Sequence, residues 1–284
     1  MSASQSKKLI DVVIGVDGGT ESIRACCFDA QSGHILGSAH AVTYVTSHPN
    51  AGWAEQDPNE WYECLKDAVK GAVRSLKEDD VSESYNIRAM CCDTTCCSVV
   101  ALDKEYTPLR PCLLWMDARS APQAKRIMDI AVSSCTNILE SFPELRVNSN
   151  GEGPLSAEWL LPKALWIKEM EPDVWESAHV ICEYQDYINY RLTNRMVASS
   201  CNAAVRWHHD GWEVLRRDGQ KDEHAGRPMG LYKAVGIPEL ASKLPKTTLA
   251  MGDVVGELSE SAAQDLGLPT GTLVVQVSKS SVAL

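Results

Sequence analysis

An apolar run, Val12-Val13-Ile14-Gly15-Val16, stops at Asp17, turns on Gly18-Gly19 and resumes after Thr20. Apolar segments parted by short turns predict three strands, Val12–Asp17, Ser22–Asp29 and His34–Ala39, the last after a Ser32-Gly33 turn, joined as a meander. Asp57-Pro58-Asn59-Glu60 then carries helix-start chemistry: an N-cap acid, proline at the first helical position and a glutamate where a capping box places one. Trp61, Leu65, Ala68, Val69, Ala72, Val73 and Leu76 follow at helical spacing, so one face of this helix is expected on the sheet. Further strands are expected at Ile87–Cys92, Ser98–Leu102, Leu113–Trp115 and Thr272–Gln276, and helices at Ala121–Ile130, Pro162–Met170 and Asp186–Leu192. The stretch from Val132 to Gly153, with Pro143 and Asn148-Ser149-Asn150-Gly151, reads as an irregular connection lying over a site. The fold class is α/β, without internal repeats.

The 284 residues suffice for one large domain or two ordinary ones. With 27 basic residues against 38 acidic, the net charge of −11 argues against nucleic acid or an anionic membrane as partner. No segment has signal-peptide form, and no run of about 18 apolar residues occurs, so a cytoplasmic protein without a membrane partner is expected. The sequence carries no signal of oligomeric state. Its 11 cysteines sit in apolar runs such as Ala25-Cys26-Cys27-Phe28 and are expected reduced and buried. Cys91-Cys92-Asp93-Thr94-Thr95-Cys96-Cys97 places four sulfurs in seven residues, yet Cys92 and Cys96 supply half a zinc site and no second knuckle is visible. A strand, a polar turn facing a ligand and a second strand is the reading preferred over zinc.

The turn after Asp17 carries the candidate chemistry. Glycines at 18 and 19 let the backbone approach a phosphate and take dihedrals closed to other residues, and Thr20 and Ser22 add hydroxyl donors. Asp17 is placed to hold Mg²⁺, mostly through water, because that ion keeps part of its hydration shell. A tight turn with no ligand is the competing account.

Asp17-Gly18-Gly19-Thr20-Glu21-Ser22-Ile23-Arg24 resembles the Asp-x-Gly-Thr-x-Ser-x-Arg opening of the FGGY carbohydrate kinases, members of the actin-like ATPase superfamily. Further segments follow in that family's order. They are Gly52-Trp53-Ala54-Glu55-Gln56-Asp57-Pro58, Cys92-Asp93-Thr94-Thr95, Leu114-Trp115-Met116-Asp117-Ala118-Arg119 and Ser156-Ala157-Glu158-Trp159 with Pro162-Lys163-Ala164-Leu165-Trp166. Glu183-Tyr184-Gln185-Asp186-Tyr187, Asp253-Val254-Val255-Gly256-Glu257-Leu258 and Gly267-Leu268-Pro269-Thr270-Gly271-Thr272 complete the series. The resemblance implies an actin-like, ribonuclease H-like domain with a mixed sheet flanked by helices.

It also implies transfer of the ATP γ-phosphoryl, with Mg²⁺, to a sugar hydroxyl. Such transfer needs charge neutralisation and in-line positioning more than covalent help. By the resemblance Asp17 organises Mg²⁺, while Gly18, Gly19, Thr20, Ser22 and Arg24 face the transferring phosphate. Thr95, Trp115, Asp117, Arg119, Glu158 and Arg206 bind the sugar, Trp115 as a flat apolar wall and Asp117 and Arg119 as acceptor and donor. The Asp-Thr-Thr turn and the Asn-Ser-Asn-Gly loop are similar to the pentulose kinases, the ribulokinase and xylulokinase relatives. Where ribulokinases carry lysine before tryptophan, this chain has Val205-Arg206-Trp207, which leaves the ketose open because arginine is a planar fork.

The resemblance divides the chain into an N-terminal tail at 1–11, the family's N-terminal domain at 12–276 and a tail outside the pattern at 277–284. Gln276-Val277-Ser278 is what a splice donor, CAG followed by GTAAGT, encodes when read through. The family's catalytic general-base aspartate has no counterpart after Asp265, and its C-terminal nucleotide-binding domain is expected to be absent. The chain is therefore expected to be inactive alone, with a catalytically dead sugar-binding or interaction module as the alternative.

Overall fold

The computed structural model describes residues 9–79, 84–147, 151, 153–210 and 226–277. Residues 1–8 and 278–284 of the two expected tails, and Asn148-Ser149-Asn150 of the irregular connection, lie outside the described residues. The chain opens with β1 (Leu9–Gly18), β2 (Ser22–Asp29) and β3 (Ile35–Thr43). β1 starts three residues before the expected Val12 because Ile10 pairs with Tyr85 and is buried. β3 outruns its expected end at Ala39 because Val42 and Thr43 still pair with Ile23 and Ser22.

After β4 (Glu55–Gln56) comes α1 (Pro58–Asp79), capped as expected: the Asp57 carboxylate accepts the Asn59 N–H at 2.9 Å. The capping box does not close, since Glu60 instead accepts the Val45 N–H at 3.4 Å. β5 (Ser84–Thr94), β6 (Val99–Leu102) and β7 (Cys112–Leu113) precede α2 (Ala121–Ser133). The expected irregular connection contains α3 (Ile138–Ser141), capped by Asn137, and a 3₁₀ turn at Pro143–Val147. Then follow α4 (Leu160–Met170), α5 (Pro172–Ser177), β8 (Val180–Glu183) and α6 (Tyr184–Thr193). α6 begins at Tyr184, ahead of the expected Asp186, because the Asp186 carboxylate accepts the Glu183 N–H at 3.0 Å. The chain ends through β9 (Ala198–Ser199), α7 (Ser200–Arg206), α8 (Met229–Ala234), α9 (Leu240–Lys243), β10 (Thr248–Leu249), β11 (Val254–Glu257), α10 (Glu260–Leu266) and β12 (Leu273–Val275).

Six strands form the main sheet in the order β11-β12-β5-β1-β2-β3. β5 runs parallel to both β1 and β12, and the two edges are antiparallel, so the sheet is mixed as expected. Ile10, Val12, Ile14 and Val16 of β1 point into the core shared with Trp61, Leu65, Ala68 and Val69 of α1. Alternation sends Asp11, Val13, Gly15 and Asp17 to the opposite, less covered face. A second sheet, β4-β7-β6-β8, is antiparallel and divides two cores. Val100, Leu102 and Cys182 join the α1 core, whereas Val99, Ala101 and Ile181 join the core built by α2 and α4. No disulfide joins any of the 11 cysteines; Cys26, Cys91, Cys135 and Cys201 are only half-buried, against the expectation of burial for all. No helix among the described residues is long and apolar enough to cross a membrane.

Candidate functional site

Asp17, next to last in β1, lies opposite Arg24 of β2, and the guanidinium Nη2 lies 2.8 Å from Asp17 Oδ2. The turn between them is held from three directions. Gly19 N–H donates to the Ser22 carbonyl at 2.9 Å, the Tyr44 hydroxyl donates to the Gly19 carbonyl, and buried Gln56 donates from Nε2 to the Thr20 carbonyl at 2.7 Å. Neither Gly18 nor Gly19 has a positive φ, which corrects the expectation that unusual dihedrals require glycine here. Close approach requires it at 18. A Cβ there would stand 2.9 Å from Tyr184 Oη and 3.2 Å from Thr94 Cγ2, and the Tyr184 ring is stacked on Trp61 at 3.7 Å.

Asp17, Gly19, Thr20 and Arg24 line a cleft of about 480 Å³ together with Thr95, Cys96, Cys97, Trp115, Glu158 and Arg206. β5 delivers the turn carrying Thr95, whose N–H donates to the Gly18 carbonyl at 3.0 Å. Trp115 follows β7, and its Nε1 donates to Thr20 Oγ1 at 3.1 Å, so indole and hairpin hydroxyl meet inside the cleft. Arg206 ends α7 with its guanidinium 5.4 Å over the Trp159 ring, and its Nε is buried without a hydrogen-bond partner. Two guanidiniums, threonine hydroxyls and a flat apolar wall suit a ligand that carries both several hydroxyls and an anionic group.

The structure does not bring every expected residue here. Gly18 is packed beneath Tyr184, and Ser22 is not among the lining residues. Asp117 and Arg119 lie off the cleft in a buried knot: Arg119 Nη2 to Asp117 Oδ2 is 2.7 Å and Arg119 Nη1 to Glu55 is 2.8 Å. Asp117 Oδ2 also accepts the Ala54 N–H at 2.7 Å, and the Arg119 guanidinium sits 3.7 Å over the Trp53 ring. These bonds tie the Trp115 segment to the 52–56 segment. The Leu113–Trp115 strand correspondingly stops at Leu113, where the Asp117 N–H turns back to the Leu114 carbonyl at 3.0 Å.

Cys96 and Cys97 sit on the turn expected to face a ligand, and both line the cleft, although neither is among the expected binding residues. Among the described residues, no group of three or more histidine, cysteine or acidic side chains is arranged to hold a metal ion. A hydrated Mg²⁺ needs only one or two carboxylates. Asp17, with one carboxylate oxygen on Arg24 and its side chain 44% exposed, fits that need. Beneath the cleft, burial pushes the Glu183 carboxyl up to about 7 and the Lys163 ammonium down from its ordinary value.

The sequence profile for the N-terminal domain of the FGGY family of carbohydrate kinases matches residues 12–283. A xylulose kinase of Staphylococcus epidermidis is 28% identical over 266 residues, covering 93% of this chain and 46% of that protein. A ribulokinase of Shouchella clausii is 30% identical over 288 residues, with 92% and 46% covered. The solved structure of a xylulose kinase from Rhodospirillum rubrum has the same fold, with a TM-score of 0.72 at 23% identity over 94% of this chain and 49% of that one. The chain spans about half the length of the curated relatives it matches.

Proposed function

This chain belongs to the FGGY family of carbohydrate kinases, which have the actin-like ATPase fold, and on that premise we propose that its cleft serves ATP-dependent phosphorylation of a pentulose. The observation that carries the reading is the meeting of the Asp17–Arg24 hairpin with Trp115, Glu158 and Arg206 in one cleft. Trp115 gives the sugar a flat apolar face, and Glu158 and Arg206 offer an acceptor and donors to its hydroxyls. Arg24 and the Thr20 hydroxyl stand at the phosphate side, where they orient the γ-phosphoryl and oppose its charge. Mg²⁺, when bound beside Asp17, neutralises charge on the phosphate oxygens.

Taking the proton from the sugar hydroxyl needs a base. Among the described residues, the carboxylates lining the cleft are Asp17, tied to Arg24, and Glu158, which is exposed. We therefore assign these 284 residues the binding of sugar and phosphate, and no turnover on their own. Purified chain is expected to bind D-ribulose, L-ribulose or D-xylulose in preference to glycerol and to show no sugar-dependent ATP consumption. Preference for glycerol would refute the pentulose assignment, and sugar-dependent ADP formation would refute the claim of inactivity.

A further inference from the structure

Cys97 lies at the bend of the cleft wall between β5 and β6. Its φ is 62°, a left-handed conformation that costs a side-chain-bearing residue free energy and persists only where the surroundings impose it. Both polar ends of this residue are held by buried charged side chains. The Cys97 N–H donates to Glu183 Oε2 at 3.0 Å, and its carbonyl accepts from Lys163 Nζ at 2.7 Å. Glu183 and Lys163 are each 0% exposed.

Each of the two reaches a further part of the cleft. Lys163 Nζ also donates at 2.5 Å to the carbonyl of Leu114, which precedes Trp115. Glu183 Oε1 accepts from Nε1 of Trp207, the residue after Arg206, at 2.7 Å, and Oε2 also accepts from Asn202 Nδ2 at 3.0 Å. The turn bearing Thr95, the wall residue Trp115 and the end of α7 bearing Arg206 thus converge on two side chains that do not line the cleft. Burying two charges is expensive and a tightly packed apolar pair is often as stable, so stability alone is a poor reason to keep them. An apolar pair supplies no donor for two carbonyls and no acceptor for three N–H groups.

We propose that Lys163 and Glu183 are positioning residues, which hold Cys97 in its left-handed conformation and so fix the relative placement of Thr95, Trp115 and Arg206 around the substrate. The consequence for substrate rests on the sugar-site reading above; the clamp on Cys97 does not.

The test measures amide hydrogen exchange over residues 94–98 and calorimetric affinity for D-ribulose and D-xylulose, in the parent chain and in Lys163→Met. A control, Leu76→Ala near the C-terminal end of α1, removes core packing far along the chain from the cleft segments. Loss of two hydrogen bonds to a charged donor is expected to speed exchange at 94–98 and weaken pentulose binding, each about tenfold, while β1 and residues 84–93 of β5 keep their protection. The control is expected to lose thermal stability and change neither readout. Should Lys163→Met fail to fold, Trp207→Phe keeps the ring and removes only the donor to Glu183, and is expected to weaken binding severalfold. Parent-like exchange and affinity in Lys163→Met, or in its place Trp207→Phe, would overturn the proposal, as would equal losses in the control. A parent chain that binds neither pentulose while the exchange difference holds would refute the sugar-site reading and leave the clamp standing.

Discussion

Arg24 Nη2 donates to Asp17 Oδ2 at 2.8 Å between paired positions of the β1–β2 hairpin, at the mouth of the cleft. The two side chains are 55% and 44% exposed, so water screens the pair and its contribution to folding is small, about 0–1 kcal/mol. On the proposed function its geometry matters more than its stability, since that reading places a phosphate and a hydrated cation beside this carboxylate and guanidinium.

Asp17→Asn is accordingly expected to unfold within a few degrees of the parent while abolishing any Mg²⁺ dependence of phosphate binding. Thermal unfolding and calorimetric titration of inorganic tripolyphosphate with and without Mg²⁺ check this. Unchanged Mg²⁺ dependence in the variant removes Asp17 from the metal's surroundings.

Gly18→Ala should be costly and Gly19→Ala mild. The added methyl at 18 meets Tyr184 Oη at 2.9 Å, and that ring is fully buried against Trp61, whereas at 19 the nearest atom is the Ser22 carbonyl oxygen at 3.3 Å. Overpacking of this kind costs about 1–3 kcal/mol. Urea unfolding of both variants measures the difference, and equal midpoints would contradict the packing account.

Asp117→Ala leaves the Arg119 guanidinium buried with Glu55 as its remaining acid, so destabilisation of about 3 kcal/mol is expected. Because Asp117 lies off the cleft, the milder Asp117→Asn is expected to bind pentuloses like the parent. A selective loss of sugar affinity in a folded Asp117→Asn protein would return Asp117 to the site.

Stability should depend on pH through two opposed sets of buried groups. Burial raises the Glu183 carboxyl from its ordinary 4.5 to about 7. Its contribution is therefore complete below about pH 4.5 and is lost as pH rises through about 7. His208 and His209, lowered by burial from 6.5 to about 3, work the other way: their contribution is present above about pH 6.5 and lost as pH falls toward 3. Asp186, also raised by burial, adds to the first set. Comparing urea midpoints of the parent and Glu183→Gln from about pH 5 to 8 isolates the carboxyl. The parent's advantage should shrink across that range, and a pH-independent difference would contradict the assignment.

The hairpin was legible because Asp-Gly-Gly-Thr between two apolar runs is a local signal, and local chemistry also marked the start of α1 at Asp57 and Pro58. β8 was not legible: Val180–Glu183 is buried at every position, between two cores, so it has no alternation to read. Lys163 sits in the apolar run of α4, and its two carbonyl partners at 97 and 114 are distant in sequence. Asp117 and Arg119 are expected at the sugar through the family resemblance, whereas their contacts with Glu55, Ala54 and Trp53, distant in sequence, are visible only in the fold.

The claim that this cleft receives a pentulose is tested most directly by calorimetric titration of the parent chain, Trp115→Ala and Arg206→Ala with D-ribulose, L-ribulose and D-xylulose. The account predicts saturable binding of at least one pentulose by the parent, weakened about tenfold in each variant by loss of the indole wall or the guanidinium donors. Absence of binding to all three sugars, or parent-like affinity in both variants, would contradict it.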